Sequence, residues 1–545
     1  MRQLAYLCLL TAPAALAAQT PATSAAARVA SALDPRVLRA HIEFLADDAL
    51  EGRAPGTRGG ATAAKYIATQ FERIGLEPAG DSGTWYQRVP IISLTPEPTL
   101  AVERPSVGPL TWKKDFVMWS MRNDSLVDAR GDAVFVGYGI VAPEYGWNDY
   151  AGVDAKGKIV ITLVNDPGLR DSTIFRGKIL TYYGRWTYKI EEAQRQGAAG
   201  ILMVHTTESA TYPWTTVLSG WVGPQVRLET PPGSLRVAGW LQQGAAARLF
   251  QQSGQDLAAL TAAAARPGFK AVPLGLQLGA AVRSTIRRSE TNNVLGRWPG
   301  RGPLARETVL IGGHYDHFGI GAPVDGDSIY NGAEDNASGT GGVIAAAEAF
   351  ARSGVHTARS IVFIGFAAEE SGLLGSQALA SSPPFPLRGM AAILNLDVLN
   401  LHGRTRDFSA LGLDQSTLGQ TMTLAARAEG LKVTTSQEAL LQGSYYRSDH
   451  FSLAKAGVPG TSLETGSDFV GRPAGWGKEQ SDKYVAERYH QPSDEVAPWF
   501  NYDGAIQQLR VTVRTAVTVG NAAHPPAWNA SSEFRQAGES RRGGR

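Results

Sequence analysis

Three apolar runs between residues 308 and 397 end in the same chemistry, and this constrains the fold more than any other feature of the chain. TVLIGGHYDHFG stops at His314, Asp316 and His317, SIVFIGFAAEESG at Glu369 and Glu370, and AAILNLDVLN at Asp397. Short runs rich in Val, Ile and Leu and bounded by Gly read as strands buried on both faces of a parallel sheet. Between the first two, GTGGVIAAAEAFARSG reads as a helix opening near Asn336 or Ser338 and closing at Gly354. Strand, helix, strand is a parallel crossover, and such sheets bind ligands beyond the carboxyl ends of their strands. The expected fold is α/β, a three-layer sandwich around a mixed, mostly parallel sheet. All three polar clusters fall on one sheet edge.

The chain has 545 residues, more than one small core accommodates, so two or three domains are expected. With 43% hydrophobic and 19% charged residues it has the composition of a globular protein. A net charge of +2 with no long basic block gives no basis for nucleic-acid binding. The opening MRQLAYLCLLTAPAALAAQT carries one positive charge, an apolar stretch and small residues at Ala15 and Ala17. It reads as an export signal over residues 1–18, so a secreted or periplasmic location is expected. The single cysteine, Cys8, lies inside it, leaving the processed chain no disulfide, thiolate ligand or cysteine nucleophile. No later stretch is apolar for long enough to span a bilayer.

Along the chain, helices are expected at 34–50, with Asp34 capping and Pro35 in the first turn, and at 59–74, ending at Gly75. Strands and hairpins follow over 85–125. AVFVGYGIVAP, GKIVITLVND and WTYKIEEAQRQGAAGILMVHT then supply strands and a helix of their own, and TNNVLGRW resumes the first pattern at 291. Residues 130–275 are therefore read as an insertion dividing a domain of 30–129 and 276–523. The polar stretch 524–545 is expected to be disordered.

Metal chemistry needs a few convergent anionic or imidazole groups. His314, Asp316, Asp335, Glu369, Glu370, Asp397 and the distant His490 supply nitrogen and oxygen donors without sulfur, which suits catalytic zinc. Asp335, just before the helix, is placed to bridge two ions. Adjacent Glu369 and Glu370 can point to different places, one to a metal and one to a proton.

The ordered set HYD, NGAEDNASG, AAEESGLLGS, NLD and RYHQPSD resembles the co-catalytic zinc exopeptidases, metallopeptidase family 28, over about 291–500. That group includes secreted aminopeptidases and glutamate carboxypeptidase. GKIVITLV and EAQRQGAAGILMVH resemble the protease-associated domain inserted in many members. The resemblance implies two zinc ions: His314 and Asp397 on one, Glu370 and His490 on the other, and Asp335 bridging. It implies that Glu369 is the general base toward a zinc-bridged hydroxide, and that Tyr489 donates to the developing oxyanion. Asp316 would accept the free ring N–H of His314 and fix its tautomer.

Asp449, His450 and Arg447 in YYRSDHFSLAKAGVPG are candidates for substrate contact or for support behind the ligands, and Tyr445 and Tyr446 for shaping the pocket. His317 is expected to make a loop hydrogen bond, and His402 could equally be a surface residue. Trp214 and Trp221 are placed near the mouth of the site only by their density in loops. The function expected is an exported aminopeptidase acting on peptides. The alternatives are a carboxypeptidase of glutamate-carboxypeptidase type and a non-catalytic binding protein on the same fold.

Overall fold

The computed structural model describes residues 21–543 apart from 107 and 232, so the expected export signal and Cys8 lie outside the described residues. The strands that organise it begin with β1 (Tyr86–Arg104), β2 (Phe116–Ser120), β3 (Leu126–Phe135), β4 (Ile159–Leu163), β5 (Gly200–His205), β6 (Val237–Gln242) and β7 (Val272–Trp298). They continue with β8 (Thr308–His314), β9 (Gly319–Val324), β10 (Asp327–Tyr330), β11 (Ser360–Phe366), β12 (Met390–Asn395), β13 (Asp407–Leu411) and β14 (Gly460–Glu464). The main sheet runs β13–β14–β12–β8–β11–β7–β3–β4–β5–β6–β2. Strand β8 pairs in parallel with β11 and β12, and β12 with β14, while β7 and β13 join antiparallel. This is the mixed, mostly parallel sheet expected.

Alternation along β8 and β11 explains the layers. Val309, Ile311, Ile361 and Phe363 enter a core with the helices Pro35–Leu45, Arg58–Ile74, Ser338–Ser353 and Asp503–Asn521. Leu310, Val362, Ile364 and Phe366 enter a second core on the opposite face, with Leu379 and Leu453 from the helices Leu374–Ser381 and His450–Lys455. Burial on both faces is why these strands read as continuous apolar runs.

The crossover helix spans Ser338–Ser353 and ends at Gly354, whose φ of 60° suits a residue without Cβ. Asp34 caps the first expected helix through Arg36 N at 2.9 Å, but that helix stops at Leu45 rather than 50. Asp47 accepts from Ala49 N and starts a separate 3₁₀ turn, a local alternative that competes with helix continuation.

His41, on the first of these helices, is 5% exposed and shares a hydrogen bond with Tyr66 Oη at 2.9 Å. Burial lowers its pKa to about 4. The unfolded chain therefore takes up a proton at pH values where the folded one refuses it. Stability is full above about pH 6.5 and falls as the pH drops toward 4, by up to about 3 kcal/mol. Urea unfolding at pH 7.5 and 5.0 should show a smaller acid loss in His41→Gln than in the parent chain; equal losses would refute the assignment.

Two expectations about organisation need correction. The boundary at 130 falls inside β3, and β2, upstream of it, pairs antiparallel with β6 deep in the expected insertion. The other boundary falls inside β7, whose 27 residues pair with β3 at one end and β11 at the other. A strand that runs on through both parts of one sheet has no compositional break, so its middle is invisible to pattern reading. The tail expected to be disordered is packed. Phe534 is 2% exposed, Glu533 accepts from Tyr446 Oη at 2.6 Å and Tyr182 N at 3.0 Å, and the helix Arg535–Gly543 follows. Arg541 donates to Met390 O at 2.7 Å and Gly457 O at 3.0 Å. Polar composition hid these anchors because each is a single side chain.

Candidate metal centre

Each of the three buried strands delivers its polar residues at the carboxyl end. His314 closes β8, Glu369 and Glu370 follow β11, and Asp397 follows β12. His314 Nε2 lies 3.2 Å from Asp335 Oδ1 and 3.4 Å from Asp397 Oδ1. His490, from a loop more than 90 residues downstream of Asp397, places Nε2 3.4 Å from both Asp335 Oδ2 and Glu370 Oε2. Two overlapping groups result, His314–Asp335–Glu370 and His314–Glu369–Asp397, each offering one donor atom per residue within 4.8 Å of one another. Glu369 thus stands within ligand reach as well as beside the other acids.

The backbone holds this arrangement under strain. Ala368, Val398 and His490 all have positive φ, at 55°, 52° and 59°, each in or next to a donor residue. Side chains other than glycine adopt such values at a cost, and the cost concentrates at functional sites.

The electrostatics are those of a crowded anionic pocket. Burial pushes the Asp335 carboxyl up, but hydrogen bonds from His314 and His490 outweigh it and hold it below the usual range. Glu369 is pushed well up by burial, with Glu370 and Asp397 adding repulsion against the attraction of His314. Glu370 is raised by burial and then by Asp335. Carboxylates this close are costly without compensating positive charge, and the two imidazoles do not balance them. A sulfur-free donor set of this kind fits divalent cations, zinc among them.

Supporting contacts differ from the sequence expectation. Asp316 was expected to accept the His314 ring N–H, but its Oδ1 stands 3.9 Å from Nδ1, while its backbone carbonyl lies at 3.2 Å. Its carboxylate instead accepts the amides of Glu369 at 3.0 Å and Glu370 at 3.3 Å, tying the β8 end to the β11 end. His317 is fully buried and its Nδ1 meets Glu370 Oε1 at 2.7 Å. Burial lowers its pKa to about 3, so the ring is neutral and Nδ1–H donates. Asp449 and His450 are also fully buried, which removes direct substrate contact and leaves only support. Arg447 is exposed, with Nη2 on Gln442 O at 3.2 Å. Tyr445 and Tyr446 are buried, Tyr445 stacking edge-on to His450 at 4.6 Å. His402 is largely buried against Trp499 at 4.9 Å, not a surface residue. Trp221 packs on Trp119 at 4.2 Å and Trp214 donates to Lys113 O at 3.0 Å, both against the core of the expected insertion.

Other partners went unread. Ser448 Oγ donates to Asp397 Oδ2 at 2.5 Å. Asp494 accepts the amides of Glu334 at 3.1 Å and Asp335 at 3.0 Å, and Arg488 in turn bonds Asp494 and Glu334. Arg53, fully buried, donates to the carbonyls of Tyr315 at 2.7 Å, Asn331 at 2.5 Å, Gly332 at 3.0 Å and also Leu45. Asp494 and Ser448 sit in the YHQPSD and RSDH stretches already singled out, which is the cue that could have found them. Arg53 had none.

The fold and donor set define an α/β protein with a candidate dinuclear centre at the carboxyl edge of its sheet. Residues 293–514 match the model for Peptidase family M28. Leucine aminopeptidase 1 of Grosmannia clavigera is 28% identical over 235 residues, covering 41% of this chain and 51% of that protein. Leupeptin-inactivating enzyme 1 of Streptomyces exfoliatus is 29% identical over 179 residues, covering 33% and 36%. The chain thus spans about half or less of the length of these curated relatives. Among solved structures, an aminopeptidase from Aneurinibacillus sp. strain AM-1 aligns with a TM-score of 0.46 at 18% identity, covering 92% of this chain and 96% of that one.

Proposed function

We propose that the protein is a zinc-dependent aminopeptidase that removes the N-terminal residue of peptides. The observation that carries this reading is the approach of His490 to Asp335 and Glu370, which completes five nitrogen and oxygen donors drawn from five separate segments. His314 and Asp397 would hold one ion, Glu370 and His490 the other, and Asp335 would lie between them. Bound zinc would polarise the scissile carbonyl and lower the pKa of water at the site.

The chain's own groups do the rest. Glu369 takes the proton from the attacking water and hands it to the leaving amine. Its backbone amide is pinned by Asp316, so the carboxyl is delivered from a fixed point. Tyr489 is 42% exposed and stacks on His490 with centroids 3.7 Å apart. From there its hydroxyl donates to the carbonyl oxygen as negative charge develops. Partial desolvation of the ring against its neighbours, with the charges of Asp335, Glu370 and Asp397 close by, raises the Tyr489 pKa and keeps the proton available for donation.

The region from β2 to the first half of β7 is read as a protease-associated domain, on the GKIVITLV and EAQRQGAAGILMVH segments. Export to the periplasm or medium is inferred from residues 1–18. Among the described residues no helix is long and apolar enough to cross a membrane.

Aminoacyl p-nitroanilides, assayed beside N-acetylated peptides with and without a chelator, test the assignment. Chelator-sensitive turnover of the free-amine substrates is expected. Turnover restricted to blocked peptides would favour a carboxypeptidase, and no turnover would favour a binding role.

A further inference from the structure

We propose that the β9–β10 hairpin and Phe318 form an apolar lip that receives the side chain of the substrate's N-terminal residue, with Phe318 determining specificity. The assignment rests on the aminopeptidase reading. Phe318 is 43% exposed, and Ile320 and Val324 beside it are 63% and 41% exposed. Three large apolar side chains are thus exposed within seven residues, and exposed apolar groups concentrated beside a polar centre mark a binding surface.

Its position relates it to the site. The Phe318 ring packs edge-on to His490 at 4.6 Å, on a ring whose Nε2 faces Asp335 and Glu370. Tyr489 also stacks on that ring, so the least buried of the five candidate donors sits between two exposed aromatic groups. A peptide whose first carbonyl lies beside His490 has its first side chain within reach of this lip.

The lip is also held in place before any substrate arrives. Strands β9 and β10 pair only with each other among the described residues. The base of the hairpin is fastened by Arg53, which bonds Asn331 O and Gly332 O just after β10 and Tyr315 O just before Phe318. At Gly52, with φ 65°, an added Cβ would lie 2.5 Å from Tyr330 O and 2.7 Å from Gly319 O, so the neighbouring backbone presses directly against it. The apolar side chains therefore stand on a fixed platform rather than collapsing onto the core.

Charge narrows the ligand class. Around the hairpin turn the segment 317–333 carries Asp325 and Asp327 and no Lys or Arg. A lip that is apolar and acidic favours a free ammonium group carrying a bulky apolar side chain and disfavours an acidic one.

The test compares the full-length zinc-loaded protein with Phe318→Ala, Phe318→Trp and Ile320→Ser on Leu-, Ala- and Glu-p-nitroanilide. The parent chain is expected to prefer Leu over Ala and to turn over Glu poorly. Phe318→Ala should reduce the Leu-to-Ala ratio of kcat/KM about tenfold, through KM for Leu. Ile320→Ser should reduce it less, and Phe318→Trp should retain it. The ratio is internal to each preparation, so partial misfolding cancels. An unchanged ratio in Phe318→Ala, with the parent chain active, overturns the lip alone. A parent chain that cleaves none of the anilides overturns the aminopeptidase reading and the lip with it.

Discussion

Glu369→Gln is expected to lower kcat on a good aminoacyl anilide by about 10²–10⁴-fold while KM moves little. A carboxamide matches the carboxylate in shape but cannot accept the proton. The backbone anchor survives, because it runs from the Glu369 amide to Asp316 and not through the side chain. Glu369 stands within ligand reach of His314 and Asp397, so metal content has to be measured alongside turnover. Retained zinc with lost turnover assigns Glu369 to proton transfer. Zinc lost in parallel would make it a ligand, and a kcat within threefold of the parent would remove it from the mechanism.

His490→Ala should have the second large effect. Removing the imidazole leaves Asp335 Oδ2 and Glu370 Oε2 facing each other without the donor that now stands 3.4 Å from each. Zinc titration should give one tight site in place of two, with turnover reduced by about 10³-fold or more. The variant should also lose part of the thermal stabilisation that added zinc confers, since an ion bound only by the folded state stabilises it by mass action. His356→Ala is the control: His356 stacks on Trp298 at 4.6 Å and bonds Pro299 O, away from the centre. Two tight sites in His490→Ala would contradict the donor assignment.

The candidate site is legible in the sequence only in part. The three strands were legible because burial on both faces leaves a run of Val, Ile and Leu, and each of these runs ends on an acid or a histidine. His490 was not legible in that way. It lies in a loop, at positive φ, and only the resemblance of RYHQPSD to a family motif raised it above a surface histidine. Asp316 illustrates the limit of pairwise reasoning: adjacency to His314 was visible, but its carboxylate is drawn to two amides 53 and 54 residues away. Contacts of that range leave no periodic trace. Arg53 is the extreme case, a charged side chain buried to serve four carbonyls, two of them more than 270 residues distant.

Strand β7 carries a mechanical consequence. It is a single beam whose far end is edged by β3 and whose near end lies against β11, the strand that presents Glu369 and Glu370. One ladder of backbone hydrogen bonds thus runs from the outlying half to the strand that presents Glu369 and Glu370, and unravelling β7 at its middle would strip pairing from both.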